Sequence, residues 1–239
     1  MRYVFDFDGV LFDTARECLA IAYAAVHGDR ATPPPDVATA FLRHRYWVGP
    51  PWQYAVLLDC IAGGELPAST AAFLAICARR ERELAGFTET YFAARGRLAA
   101  DRARWLALAS PYPSTRAFVD LHARGAAAIL STRDETSIRT LCEHYLGIAP
   151  VQLPRAGRQA KWEILVEAAA QRGLEPRRVF FLDDYLHHAM PAHECGFATY
   201  LATWGYLGPG DTEHALTGGL PCLQLTDLGP ALAAHEERS

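Results

Sequence analysis

The chain opens on Tyr3-Val-Phe5, an unbroken apolar run closed by Asp6. Such a run, β-branched and aromatic and ending in an acid, predicts a short buried strand. Asp13-Thr14 then supplies helix-start chemistry. From about 15 to 109 the text turns Ala-, Leu- and Arg-rich. Its periodicity predicts helices over 15–27, 36–46, 51–62, 68–85 and 88–108. Breaks fall at Gly28, Pro33-Pro34-Pro35, Gly49-Pro50-Pro51, Gly63-Gly64 and Gly86. From Ser110 the pattern alternates. Helices are predicted at 114–124, 135–146, 160–172 and 187–195, with strands at Ala126–Leu130, Val151–Leu153, Val179–Leu182, Thr199–Leu201 and Cys222–Leu225. Strands alternating with helices predict a parallel sheet covered on both faces. The expected architecture is α/β, a doubly wound parallel sheet built from residues 1–14 and 110–239. An all-helical insertion occupies 15–109.

Composition narrows the function classes. A length of 239 residues suits one domain with an insertion. Hydrophobic residues at 51% and charged residues at 21% exclude collagen-like and disordered chains. Net charge is −4, with a pI near 6.1 and no basic tract, which speaks against nucleic acid as a partner. No apolar run reaches the roughly 20 residues of a membrane helix. Asp6 and Asp8 fall where the apolar core of a signal peptide would stand. The six cysteines form no C-x-x-C pair, so reduced thiols and a cytoplasmic setting are expected. Among 23 basic residues Lys161 is the single lysine.

The chemistry gathers at predicted strand ends, where open α/β sheets place their sites. Asp6 and Asp8 lie two apart after the first strand, with Gly9 following. Paired carboxylates there can split the roles of nucleophile or metal ligand and proton carrier; the plain alternative is an acidic turn. Ser131-Thr132 follows the strand Ala126–Leu130 and offers a hydroxyl and backbone N–H groups to a phosphate oxygen. A simple helix cap would use the same residues. Lys161 opens a helix, where the macrodipole disfavours a cation. A compact ammonium kept there suits a phosphoryl or carboxylate partner. Asp183-Asp184 ends the most apolar strand, a costly place for two acids without a cation or donors. With Asp6 they make an oxygen-rich set suited to Mg²⁺.

In that order, these segments resemble the motifs of the haloacid dehalogenase-like hydrolases. Asp6-Phe-Asp8-Gly9-Val10-Leu11-Phe12-Asp13-Thr14 resembles the first motif, and Ile129-Leu-Ser131-Thr132-Arg133 the second. Lys161 stands as the third and Phe180-Phe-Leu-Asp183-Asp184 as the fourth. Gly196-Phe-Ala-Thr and Thr203-Trp-Gly-Tyr206 resemble the family's C-terminal text. The resemblance implies a Rossmann-like core with a helical type 1 cap over 15–109. It implies Asp6 as nucleophile, forming an aspartyl-phosphate, and Asp8 as general acid and base. Ser131 and Lys161 would hold and neutralise the phosphoryl group, with Gly9 and Thr132 in the phosphate-binding set. Mg²⁺ would be held by Asp6, Asp8 (through its backbone carbonyl) and Asp184, with Asp183 nearby. The family's dehalogenases lack an acid at the position of Asp8, so its presence implies phosphomonoester chemistry.

One position departs from the family. Many relatives carry an acid or Asn four residues after the metal-binding Asp, where this chain has His188, a group able to modulate the site but without a fixed charge. Within the insertion, Arg43, Arg45, Trp47 and Trp52 flank a Gly-Pro turn that resembles a substrate loop of phosphosugar-active relatives; two solvated arginines and two core tryptophans would read the same. The expected activity is a Mg²⁺-dependent phosphatase for a small phosphorylated metabolite. A phosphosugar mutase and a non-catalytic binding protein on the same scaffold are the alternatives.

Overall fold

In the computed structural model, residues 1–29, 31–156 and 159–238 are described. The chain divides into two units, Met1–Asp13 with Pro111–Ser239, and Thr14–Ser110. Two-residue strands, β2 (Phe12–Asp13) and β3 (Ser110–Pro111), stand where the chain crosses between them.

The first unit is built on a five-stranded parallel sheet. Its strands are β1 (Tyr3–Phe5), β4 (Ala127–Ile129), β5 (Phe180–Asp183), β6 (Ala198–Ala202) and β7 (Cys222–Leu223), in the order β4-β1-β5-β6-β7. Side chains alternate across a strand, and here both faces are buried. Val4, Ala128 and Phe181 pair in register on one face. There they pack with Ile164, Leu165 and Ala168 of the helix Lys161–Ala170 and with Ala192 of the helix Leu186–Glu194. On the other face Phe5 meets Phe118 of the helix Ser114–Ala123, and Tyr3 meets His235 of the helix Leu228–Glu237. Fully burying one such phenylalanine is worth about 1.5–3 kcal/mol. The sheet is therefore covered on both sides, as its apolar runs require. Register does the rest. Phe5 pairs with both Ile129 and Leu182, so the residues after them, Asp6, Leu130 and Asp183, stand at one level at this end of the sheet.

The second unit is helical, with Ala15–His27, Pro35–His44, Gln53–Ala62, Thr70–Arg80, Phe87–Ala100 and Arg102–Leu106. Its core is aromatic: Phe41 stacks on Tyr54 and Tyr54 on Tyr91, at centroid distances of 5.5 and 5.3 Å. One charge pair is sealed inside. Glu17 Oε1 lies 3.3 Å from Arg95 Nε and accepts a 2.7 Å hydrogen bond from Trp105 Nε1. A carboxylate is tolerated at such depth only with partners of this kind.

Some expected elements differ. The helix expected over 88–108 is two, because the Asp101 side chain accepts from Arg104 N–H and starts the second. The strand expected at Val151–Leu153 makes a single bridge, Ile129 to Gln152. Pro150 and Pro154 flank it and cannot donate to a ladder. The helices Asp211–Thr217 and Leu228–Glu237 were not foreseen; the first is only seven residues long.

Candidate active site

Three acids and one amine meet beyond the ends of β1 and β5. One carboxylate oxygen from each of Asp6, Asp183 and Asp184 lies within 4.8 Å of the others. Lys161, first residue of its helix, sends Nζ to 2.9 Å from Asp6 Oδ1 and 2.8 Å from Asp183 Oδ2. All four side chains are buried. The local reason for a lysine at this unfavourable helix position is now visible: it is held by two carboxylates, which outweigh the helix dipole.

Electrostatics separate the three acids. Burial alone would raise Asp183, but the Lys161 ammonium and His188 hold it well below the usual carboxylate range. Its other oxygen, Oδ1, accepts from Tyr185 N–H at 2.8 Å, so it is fixed as an anion. Burial opposes the charge on Lys161, yet Asp183 and Asp6 keep its pKa above the ordinary lysine value. Asp6 goes the other way: burial, with Asp183 and Asp8 adding to it against Lys161, pushes it up to about 7. One ammonium does not neutralise three clustered carboxylates, and the contact of Asp6 Oδ1 is with that same Lys161 Nζ, which Asp183 shares. All-oxygen donors, an excess of negative charge and a buried Asp6 carboxyl pushed toward protonation fit a hard divalent cation.

Asp8 and the β4 loop stand beside this cluster. Arg133 Nη1 lies 2.8 Å from Asp8 Oδ1, and the Arg133 side chain is completely buried. Its guanidinium also lies 5.5 Å from the centroid of the Phe7 ring. Ser131 is buried and its Oγ accepts from Arg133 N–H at 3.2 Å, while Thr132 is half-buried. Arg133 is thus a site residue that motif reading left without a role. The signal available was an arginine placed three residues beyond the expected strand end Leu130, where only an acid makes a buried charge tolerable.

Gly9 lies against the Asp184 carboxylate. Its N–H donates to Phe12 O at 2.8 Å, within its own loop. What the position requires is the absence of a side chain. Its φ is +85°, and a Cβ there would overlap the Asp184 carboxylate. His188 Nδ1 lies 3.5 Å from Asp183 Oδ2, facing the same carboxylate as Lys161. Burial and the Lys161 charge lower its pKa, against the pull of Asp183.

The four insertion residues belong to the helical unit. Arg43 is exposed. Arg45 is half-buried, donates from Nη1 to Val48 O at 2.9 Å and lies 5.2 Å from the Tyr54 ring centroid. Trp47 is a core residue, buried and stacked on Phe73 at 5.4 Å. Trp52 is half-buried against the same core. Within their unit, the two tryptophans serve packing.

The family model described as haloacid dehalogenase-like hydrolase matches residues 2–196. No curated protein matches the sequence. Among solved structures, a haloacid dehalogenase-like family protein from Streptococcus pneumoniae is 15% identical, with a TM-score of 0.59, covering 97% of this chain and 96% of that one. A structure described as a predicted phosphoglycolate phosphatase, from Haemophilus somnus, is 16% identical with a TM-score of 0.63, covering 95% of each chain. A haloacid dehalogenase-like protein of unknown function from Agrobacterium tumefaciens is 20% identical with a TM-score of 0.56, covering 97% of each. At these identities the likeness concerns the fold.

Proposed function

Because the chain belongs to the haloacid dehalogenase-like hydrolase family, we propose that it is a Mg²⁺-dependent phosphatase of a small phosphomonoester, working through a phosphoryl group carried on Asp6. The observation that carries this reading is the buried contact of Lys161 with both Asp6 and Asp183. An ammonium in that place neutralises the attacking carboxylate and the phosphoryl oxygens together, and phosphoryl transfer is mainly a matter of positioning and charge.

In the first step an Asp6 oxygen bonds to phosphorus and the bond to the leaving oxygen breaks. Asp8 gives that oxygen its proton. Water then attacks the phosphorus of the aspartyl-phosphate, Asp8 takes the water's proton, and the Asp6–phosphate bond breaks to release inorganic phosphate. Ser131 Oγ donates to a phosphoryl oxygen. Arg133 keeps the Asp8 carboxylate on the site side of its loop. A bound Mg²⁺ would be held by Asp6, Asp184 and the Asp8 backbone carbonyl, with Asp183 anchoring Lys161 beside it, and would supply positive charge against the phosphoryl oxygens. The helical unit Thr14–Ser110 is proposed as a cap that reads the leaving group.

We place the enzyme in the cytoplasm. Its six cysteines are all free thiols, the state a reducing compartment maintains. The test is phosphate release from a panel of phosphomonoesters with Mg²⁺ present. Small carboxylated phosphomonoesters head the panel, the class in the description of the Haemophilus somnus structure. Turnover is expected with at least one, to vanish in EDTA and to be inhibited by Ca²⁺, whose looser and larger coordination disturbs in-line attack. Undiminished release in EDTA would overturn the reading.

A further inference from the structure

The segment Trp204-Gly205-Tyr206 is the part of the sequence pattern to which the chemistry above gives no task. It follows β6, 20 to 22 residues after Asp184, and the fold brings it back onto that carboxylate. Tyr206 N–H donates to Asp184 Oδ2 at 2.6 Å. Tyr206 OH donates to Asp13 Oδ1 at 2.8 Å, and Trp204 Nε1 donates to Val10 O at 3.1 Å. The turn therefore grips Asp184 at its middle and the loop after Asp6 and Asp8 at both ends. Gly205 is pressed into the gap. A Cβ there would overlap the Asp184 side chain and come within 2.6 Å of Gly9 O. Gly9 faces Asp184 with equally little room. The carboxylate of Asp184 is thus sandwiched between two glycines from distant parts of the chain, with one oxygen fixed by a backbone donor.

We propose that Gly205 and Tyr206 are positioning residues for the metal site: they set the orientation in which Asp184 presents its carboxylate to the divalent cation. The inference rests on the metal reading above. Groups that orient a ligand without touching the ion typically govern metal affinity by 10–100-fold, and this turn holds Asp184 and the β1 loop in one rigid piece. A carboxylate free to rotate would sample many geometries, whereas Mg²⁺ and Mn²⁺ demand narrow ones.

The experiment is direct Mn²⁺ titration of the purified full chain, followed by the loss of the free-ion electron paramagnetic resonance signal, with no phosphate compound present. Thermal melts in EDTA are recorded alongside. Gly205→Ala is expected to weaken Mn²⁺ binding by about 10–100-fold. Tyr206→Phe keeps the backbone donor and loses the Asp13 bond, so it should weaken binding by about 2- to 12-fold, the net effect of one hydrogen bond. Should Gly205→Ala fail to fold, Tyr206→Phe decides the matter. If both variants melt earlier yet bind Mn²⁺ like the wild type, the turn is merely structural and the proposal falls while the metal reading stands. If the wild type itself binds no Mn²⁺, both fall together.

Discussion

Replacing Asp6 by Asn should stabilise the metal-free fold and, with Mg²⁺ present, abolish turnover. The folded-state pKa of Asp6 lies at about 7 against an ordinary 3.8, chiefly through burial. A carboxyl raised in this way binds its proton more tightly in the folded chain than in the unfolded one. The contribution of Asp6 to wild-type stability is therefore complete below about pH 4, declines as pH rises toward 7, then levels off. Each pKa unit is worth about 1.4 kcal/mol. The penalty is thus about 2 kcal/mol at pH 5 and on the order of 4 kcal/mol at pH 8. Asparagine has the shape of the protonated acid and does not titrate, so it escapes the penalty. Urea unfolding of wild type and Asp6→Asn in EDTA, at pH 5 and pH 8, measures it. The stability gap should favour the variant and widen by about 2–3 kcal/mol between the two pH values. A gap that stays constant would show that Asp6 is not held out of its ordinary range. Near-wild-type phosphate release from Asp6→Asn would remove it as nucleophile.

Three further outcomes are expected. Lys161→Ala should lower turnover by about 10²–10³-fold, the scale of losing one donor to a transition-state oxygen, and Lys161→Arg should restore little because its fork does not fit between Asp6 and Asp183; single-turnover phosphate release checks both. Turnover should fall in acid as His188 gains a proton and repels Lys161, at a pH below the ordinary histidine value of 6.5 because burial and Lys161 lower its pKa. His188→Asn should keep substantial activity and lose that step, and an unchanged acidic limb would exclude His188 as its origin. In the helical unit, Glu17→Leu should cost about 3–5 kcal/mol in thermal or urea unfolding, since it removes the carboxylate facing buried Arg95; a change under 1 kcal/mol would refute the argument.

Strand ends were readable in the sequence because a parallel sheet demands continuous apolar runs, and an acid that stops such a run stands out. Asp6, Asp183 and Asp184 all announce themselves this way, and Lys161 does so by being the single lysine at a helix start. The helix Glu135–Leu146 was legible to its ends for a similar reason: Asp134 caps it and Gly147 stops it. What local pattern could not show is pairing across the chain. Asp8 meets Arg133, and Asp184 meets Gly205 and Tyr206, through returns of the fold that leave no periodic trace. Trp47 marks the same limit from the other side. A tryptophan beside arginines reads equally well as a binding surface or as core, and only packing on Phe73 decides.

The sheet order also governs how the protein is made. β1 lies inside the sheet, flanked by β4 and β5, yet β5 follows it by about 175 residues in the chain. At ribosomal rates of roughly 5–20 residues per second, β5 is synthesised about 10–35 s after β1. Through that interval an apolar strand lacks one neighbour and carries an unpaired edge, the condition that invites mispairing between nascent chains. The helical unit, whose aromatic core is complete within Thr14–Ser110, is translated during the wait and can fold before the sheet closes. Assembly of Asp6 with Asp183 and Asp184 is therefore a late event, so a chain released before β5 would have a folded insertion and no site.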